Sequence, residues 1–461
     1  MNHVDRRLKL PGTQMLERLA ALSWDDLSPR APRSASLALL DNIACGVFGT
    51  RFEWTQITSA LALEEKSSGR ATLFGSDVPV TPARAALSNG TSIHGFELDD
   101  IVLGSLVHPG SVVVPAALAI AEEIGASGDR LLIGIIAGYE AMARVGAALG
   151  QACNTAGFHS TSVAGPIGAA VACAVVAGAS YDLMAKAVGI AASTSSGIKA
   201  FTQGTGGMIK RVHGGLGAQG GVLAWQLASR GMTGPAEAID GRYGLLEVVG
   251  GPTAQPELLA QGLGENWAID RVWTKVYSCC GVIHTTAQAL ESIRAEGALA
   301  PQDVDVVKVN INARAVSQNA ERNPTDAMNA QYSLPFCAAL ALVGDIRDPN
   351  AFLPPNLDDP RVRAMSDRIE LHVDEEVDRH YPGRFGTKVQ LQTVDGRSFD
   401  RTIWYAHGTS VDPCSEDEIV GKFRKMCAGL LPDARIEAVE TAVRALETGG
   451  AVAEVSRALR G

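Results

Sequence analysis

The sequence predicts a mainly α protein with one large all-helical domain and one smaller α+β domain. Three observations lead to this fold class. Apolar residues recur at helical spacing through most of the first 265 residues, alternating strand patterns occur only after about residue 268, and a helical pattern returns at the end of the chain. At 461 residues the chain is too long for a single hydrophobic core, so two domains are expected.

The first part of the chain reads as helix after helix, with Gly or Pro at the joints. The predicted helices cover residues 34–47, 82–97, 112–124, 129–149, 162–177, 182–201 and 210–229. Several are apolar nearly all round, which is typical of interior helices. The chain also has 49 glycines and many alanines, so we expect these helices to pack closely. No strand pattern alternates with them, which argues against a parallel α/β sheet.

The pattern changes to strands in the second part. Val307, Val309 and Ile311 alternate with polar residues, as in a half-buried strand over 304–312. Residues 369–373 and 388–394 show the same pattern, and an Asp-Gly turn at 395–396 predicts a hairpin with 397–404. The α+β domain is therefore placed at 269–407.

The chain then returns to helices. A capping box from Ser415 to Glu418 opens one helix, and residues 434–459 predict another. The predicted helical domain accordingly comprises 1–268 together with 408–461.

Composition excludes several classes of protein. A formal net charge of −10 argues against nucleic acid as a partner. The eight cysteines have no zinc or iron–sulfur spacing and fit a reducing compartment. The charged start has no apolar segment after it, so we expect a cytoplasmic protein without a signal peptide. The apolar stretch 163–179 is interpreted as a buried helix, and no membrane partner is expected.

Histidines in small-residue surroundings are the main functional signal. His94, His108, His159, His213 and His284 all lie beside Gly, Pro or other small residues, and two lysines, Lys210 and Lys275, have similar settings. Histidine titrates near neutral pH and lysine can hold a carboxylate. The pattern indicates proton transfer on a small anionic substrate.

Two of these histidines lie at predicted helix starts. His108 precedes Pro109, and proline favours the first helical turn. His159 is followed by Ser160, whose hydroxyl and backbone N–H suit an anion. A capping or core role is the alternative for each histidine. Lys210 is either a carboxylate ligand or a helix-end cation, and His213 would share its helix face.

Two other motifs are interpreted as structural. Gly215-Leu-Gly-Ala-Gln-Gly220 spells G-x-G-x-x-G, but it follows no strand, so we expect close helix packing and no dinucleotide site. The acidic run of Glu97, Asp99 and Asp100 lacks the spacing of a metal-ligand set. We expect these carboxylates to hydrogen-bond to backbone or to a histidine, and no metal to be bound.

Seven segments together resemble the MmgE/PrpD family, which includes 2-methylcitrate dehydratases, cis-aconitate decarboxylases and iminodisuccinate epimerases. They occur in the family's order: SNGTSIHGFELDD, HPGSVVVPAALA, GFHSTSVAGPIGAA, KRVHGG, MTGP, KVYSCCGVIH and QYSLPF. No single segment is very specific, but the ordered set covers most of the chain. The resemblance implies that the α+β domain is a lid, that the protein is a homodimer, and that no cofactor is needed.

The resemblance also implies site residues. The catalytic residues it implies are His108, His159, Lys210 and Lys275. The residues expected to contact substrate are Glu97, Asp100, Ile101, Ser160, His213 and Phe336.

Three of these positions depart from the cis-aconitate decarboxylase pattern. Glu97 stands for an aspartate, Ile101 for a threonine and Phe336 for a tyrosine. The lost hydroxyls and the longer acidic side chain predict a preference for 2-methylcitrate or a related substituted acid over cis-aconitate.

The functional hypothesis from the sequence is a cofactor-independent lyase, specifically a hydro-lyase resembling 2-methylcitrate dehydratase, acting on a small di- or tricarboxylate. His108 or His159 would remove the α-proton and the other would act as the acid, with both lysines holding carboxylates. An epimerase, isomerase or decarboxylase using the same site is the alternative. A non-catalytic helical dimer that binds a metabolite is the second alternative.

Overall fold

The structure is a computed structural model that describes residues 9–202 and 207–460. Its helices up to residue 228 are α1 Pro11–Ala20, α2 Arg30–Gly49, α3 Glu53–Glu64, α4 Pro82–His94, α5 Gly110–Ile124, α6 Gly128–Thr155, α7 Ser160–Val176, α8 Tyr181–Thr194 and α9 Met208–Ala228. The later elements are α10 His284–Gly297, β1 Val304–Ile311, α11 Ala313–Gln318, α12 Ala327–Tyr332, α13 Leu334–Val343, α14 Pro360–Ser366, β2 Ile369–Val373, α15 Glu375–His380, β3 Thr387–Thr393, β4 Ser398–Ile403, α16 Glu416–Cys427, α17 Asp433–Ala445 and α18 Val452–Arg460. The prediction of a mainly α protein is confirmed.

The chain forms two compact units. Among the described residues, the first contains 9–95, 99–202, 207–272 and 415–460, and the second contains 96–98 and 273–414. The sequence-based domains, 1–268 with 408–461 and 269–407, and the role of the second as a lid, stay predictions.

The first unit has a core of tightly packed helices. α4 and α7 each pack against α9, and glycines make the close approach possible. A Cβ at Gly215 of α9 would collide with the carbonyl oxygen of Leu87 in α4, and one at Gly221 would collide with Ala169 in α7. The G-x-G-x-x-G motif thus lies inside a helix and serves packing, as predicted.

The longest helix of the first unit is also apolar. By length and composition alone α6 could cross a membrane, but 94% of its most apolar stretch is buried in the unit, as in a core helix. The predicted burial of the apolar stretch after residue 163 is confirmed, since every residue of α7 is buried.

One face of α9 is different, because it is exposed and apolar. Ile209, Leu216 and Leu223 recur every seven residues and are each more than 40% exposed. No Asp, Glu, Lys or Arg occurs between Arg211 and Arg230. Exposed helix faces in water normally carry charge, so this face has the composition of a contact surface.

The second unit contains one mixed sheet with the order β2-β1-β3-β4. β1 pairs in parallel with β2, where Val307 is opposite Ile369, and antiparallel with β3, where Val307 is opposite Leu391. β3 and β4 form the predicted hairpin, with Gly396 in the left-handed region at the turn.

Four predictions of local structure were wrong. α4 ends at His94, not at residue 97, and α8 ends at Thr194, not at residue 201. The last helical stretch is divided into α17 and α18, because Gly449 adopts a left-handed conformation between them. Residues between α9 and α10 form short 3₁₀ turns and one π-helical turn instead of regular helices.

Candidate active site

Four imidazoles of the first unit lie in a row. The ring of His94 is 5.1 Å from that of His108 and 5.8 Å from that of His159, measured between centroids. His159 and His213 follow at 5.2 Å, and their Nδ1 atoms are 3.0 Å apart, so one ring donates a hydrogen bond to the other. Three of these histidines, His108, His159 and His213, were predicted to act in catalysis or to contact substrate, whereas His94 was predicted only as a member of the histidine pattern.

Helix ends fix the row. His94 is the last residue of α4, His108 lies two residues before α5, and His159 is the N-cap of α7. Thr161, in the first turn of α7, accepts a hydrogen bond from the backbone N–H of His108 at 3.1 Å. The two predicted helix starts are therefore joined directly.

Asp99 links two of the imidazoles and is completely buried. Its Oδ2 is 2.6 Å from Nδ1 of His94 and 3.3 Å from Nδ1 of His108. Burial alone would raise the pKa of Asp99, but the two imidazoles hold it well below its ordinary value. The expectation that this acidic run bonds to a histidine is confirmed.

Asp100 faces the helices and not the imidazoles. Its Oδ1 accepts a hydrogen bond from the backbone N–H of Gly110 at 2.9 Å, which fixes the start of α5. Its Oδ2 accepts from Tyr139 at 2.7 Å and from Asn42 at 3.2 Å. Burial raises the pKa of Asp100 to about 6. Both oxygens thus already bond to the protein, and contact of Asp100 with substrate stays a prediction.

Three of the imidazoles are held neutral at neutral pH. Burial lowers the pKa of His94 to about 3 and that of His213 to about 4, and it lowers the pKa of His159 well below its ordinary value. The positive charge of Lys210, in the first turn of α9, lowers all three further. A neutral imidazole is a proton acceptor, so the row suits acid–base chemistry next to a fixed cation.

Other predicted contacts in the first unit have local partners. Ser160 is buried, and its Oγ accepts a hydrogen bond from Asn154 at 2.8 Å. Ile101 is also buried. A groove of roughly 530 Å³ is lined by His213 and by apolar residues such as Leu216, so this end of the row borders open space.

The remaining predicted residues belong to the second unit. Nζ of Lys275 is 3.3 Å from Oε2 of Glu97, and both side chains are almost fully buried. Tyr332, which the sequence analysis missed, donates a hydrogen bond to Oε1 of Glu97 at 3.2 Å. Phe336 is fully buried against Phe352. Lys275 therefore already has an anionic partner, and its contact with substrate, like that of Phe336, stays a prediction.

His94, Asp99 and His108 are also of the residue types that bind metals, and their ligand atoms lie within 4.8 Å of one another. Spacing in the sequence did not indicate this group. Two ligands of one tetrahedral zinc ion stand roughly 3.3 Å apart, given bonds of about 2.0–2.1 Å. The 2.6 Å contact between His94 and Asp99 is shorter and has the length of a hydrogen bond. The expected absence of a metal stays a prediction.

Sequence comparison identifies the family. The pattern of the MmgE/PrpD N-terminal domain matches residues 13–257, and that of the MmgE/PrpD C-terminal domain matches residues 277–448. The chain belongs to the MmgE/PrpD family. The resemblance stated from the sequence motifs is thereby confirmed.

Curated relatives of this MmgE/PrpD protein are named as decarboxylases. A cis-aconitate decarboxylase-like protein, oryM, of Aspergillus oryzae is 28% identical over 95% of each chain. Cis-aconitate decarboxylase of Aspergillus terreus is 25% identical over 92% of this chain and 91% of its own. The Homo sapiens enzyme of that name is 27% identical over 91% of this chain and 88% of its own. The prediction that this MmgE/PrpD protein is an enzyme of the lyase class is confirmed.

Proposed function

We propose that this protein is a cofactor-independent lyase that removes CO₂ from cis-aconitate or a closely related unsaturated tricarboxylate. The observation that carries the proposal is the row of four imidazoles beside the buried carboxylate of Asp99. The names of the relatives favour the decarboxylase alternative over the hydro-lyase that the sequence analysis preferred.

The reaction needs one proton and a place for negative charge. In cis-aconitate the bond between the methylene carbon and its carboxylate breaks, and CO₂ leaves. The electron pair of that bond forms a new double bond, and the pair of the old double bond moves to the far carbon, which takes up a proton. Charge develops there next to a carboxylate, so a fixed cation and an acid are the groups that lower the barrier.

Residues of the first unit fit these two needs. Lys210 is 4% exposed and supplies the fixed cation. His108 is proposed to supply the proton, because His159 is held neutral and is hydrogen-bonded to His213.

Dehydration of 2-methylcitrate is the second candidate. It is favoured by the three departures from the decarboxylase pattern, at Glu97, Ile101 and Phe336. Elimination of water would use the same row, with one imidazole removing the α-proton and another protonating the departing hydroxyl.

The test is NMR of cis-aconitate, 2-methylcitrate and citrate, each incubated with the enzyme in deuterated water. We expect cis-aconitate to give itaconate with one deuteron on the saturated methylene carbon. A His159→Gln variant should lose this activity, and His372→Gln, on an exposed strand position, should keep it. Formation of 2-methylaconitate as the faster reaction would favour the second candidate. Absence of any turnover or exchange in the panel would overturn both.

A further inference from the structure

The carboxylate of Asp99 is shared unequally between two imidazoles. Its Oδ2 is hydrogen-bonded to His94 at 2.6 Å, whereas the 3.3 Å distance to His108 is that of an ion pair. Neither Asp99 nor His94 has any exposed surface, and the side chain of His108 is 11% exposed. A buried carboxylate is costly unless donors or positive charge face it. The two imidazoles are the groups that face this one.

We propose that Asp99 is a positioning residue that makes His108 the proton donor of the reaction, and that His94 is the brace that holds Asp99 in place. This deepens the proposed function and rests on it. In these roles neither Asp99 nor His94 touches the substrate.

The orientation of Asp99 decides what His108 can do. An imidazole whose Nδ1–H faces a carboxylate keeps its Nε2 for the reaction, because the tautomer is fixed. When His108 carries both protons, Asp99 supplies the counter-charge. Of the two imidazoles beside Asp99, only His108 has an accessible surface, so it is the one that can pass a proton to a substrate.

His94 has the properties of a brace. Its ring stacks on that of His159, and the hydroxyl of Ser111 is 3.4 Å from its Nδ1. Gly214 of α9 packs closely on His94, since a Cβ added at this glycine would lie 3.0 Å from the Cβ of His94. Because the low pKa of His94 keeps the ring neutral, it donates to Asp99 without competing for the transferred proton.

The first experiment compares Asp99→Asn with Glu122→Gln. Glu122 is a control carboxylate of the same unit, since it is partly buried and bonds to Thr72 and Ser456. We expect Asp99→Asn to lower kcat by about a hundredfold or more with KM changed less than about threefold, because an amide favours the wrong tautomer. The control should stay within about twofold. Both are measured on the acid that the wild-type enzyme consumes fastest, so an incorrect substrate assignment does not affect the result.

The second experiment compares two changes at His94. His94→Asn keeps an N–H close to the position of Nδ1, whereas His94→Phe keeps the ring and removes the donor. We expect the asparagine variant to keep at least about tenfold more kcat than the phenylalanine variant, as a hydrogen-bonding brace requires. Equal losses in both variants would overturn the role of His94.

A measurement without substrate separates this inference from the proposed function. In ¹⁵N NMR of the histidine rings, we expect wild-type His108 to carry its proton on Nδ1 and the Asp99→Asn variant to carry it on Nε2. Variants at His108 assign the signal. An unchanged tautomer, or an Asp99→Asn enzyme within about twofold of wild-type kcat, would overturn the positioning role even if the protein proves to be a decarboxylase.

Discussion

The ion pair between Lys422 of α16 and Asp41 of α2 is expected to be essential for the stability of the first unit. Nζ of Lys422 is 2.8 Å from Oδ1 of Asp41, and Asp41 is 2% exposed. Lys422→Met keeps most of the apolar stem but leaves a buried carboxylate without its positive partner. Breaking a buried pair in this way costs about 3–5 kcal/mol.

The control and the double variant separate charge from packing. Lys425→Met removes an exposed charge from the same helix and should cost less than about 1 kcal/mol. Asp41→Asn combined with Lys422→Met leaves no buried charge, so it should recover most of the loss. Hydrogen exchange of the α2 amides in rising urea gives the opening free energy of this part of the unit.

The pH dependence gives a further check. Burial raises the pKa of Asp41. In the folded protein this carboxyl therefore stays protonated at pH values at which it has already ionised in the unfolded chain. The stability that protonated Asp41 contributes is therefore lost as pH rises through its pKa in the folded protein. Removal of Lys422 raises this pKa further. The penalty of Lys422→Met should be largest at about pH 7 and should shrink towards pH 4. A penalty below about 1 kcal/mol, or one equal at both values, would refute the reasoning.

Four other outcomes are expected. His159→Gln and Lys210→Ala should each lower kcat by about a hundredfold with little change in melting temperature, and near-normal turnover would make that residue structural. Because the pKa of Asp100 is raised to about 6, the stability of wild type relative to Asp100→Asn should fall by about 2.4 kcal/mol between pH 4 and pH 7, as unfolding titrations would show. Activity should survive exhaustive chelation, and loss to EDTA with recovery on adding one divalent metal would contradict a metal-free reaction. Sedimentation should show a homodimer that Leu216→Arg with Leu223→Arg dissociates, whereas a concentration-independent wild-type monomer would contradict it.

Local sequence signals predicted most of the regular elements. Apolar periodicity placed α2 and α5 to α9 within a few residues, except the end of α8, and alternation placed the strands, because both patterns are written in neighbouring residues. The segment between α9 and α10 was missed because short 3₁₀ turns have no apolar period of their own. α4 was predicted too long because nothing local shows that Glu97 takes a positive φ of 58°.

The site was predicted only in part, because local sequence signals mark helix starts but not contacts made by the folding of the chain. Pro109 after His108 marked one helix start, and small polar residues after His159 marked the other. The pairing of His94 with Asp99 depends on how the chain turns between them, and the bond from Tyr332 to Glu97 joins distant parts of the chain. A spacing of five residues between His94 and Asp99 carries no periodic signal. Such contacts become visible only in the folded chain.

The division of the first unit between both ends of the chain has a consequence during synthesis. Arg33 near the start of α2 is hydrogen-bonded to Glu416 at the start of α16, 383 residues later, at 2.8 Å. At about 5–20 residues per second, a ribosome needs roughly 20–80 s to make the intervening chain. For that time the surface of α2 that receives α16 stays uncovered. A nascent chain stalled before residue 415 should therefore bind chaperones, and its first unit should not be completely folded.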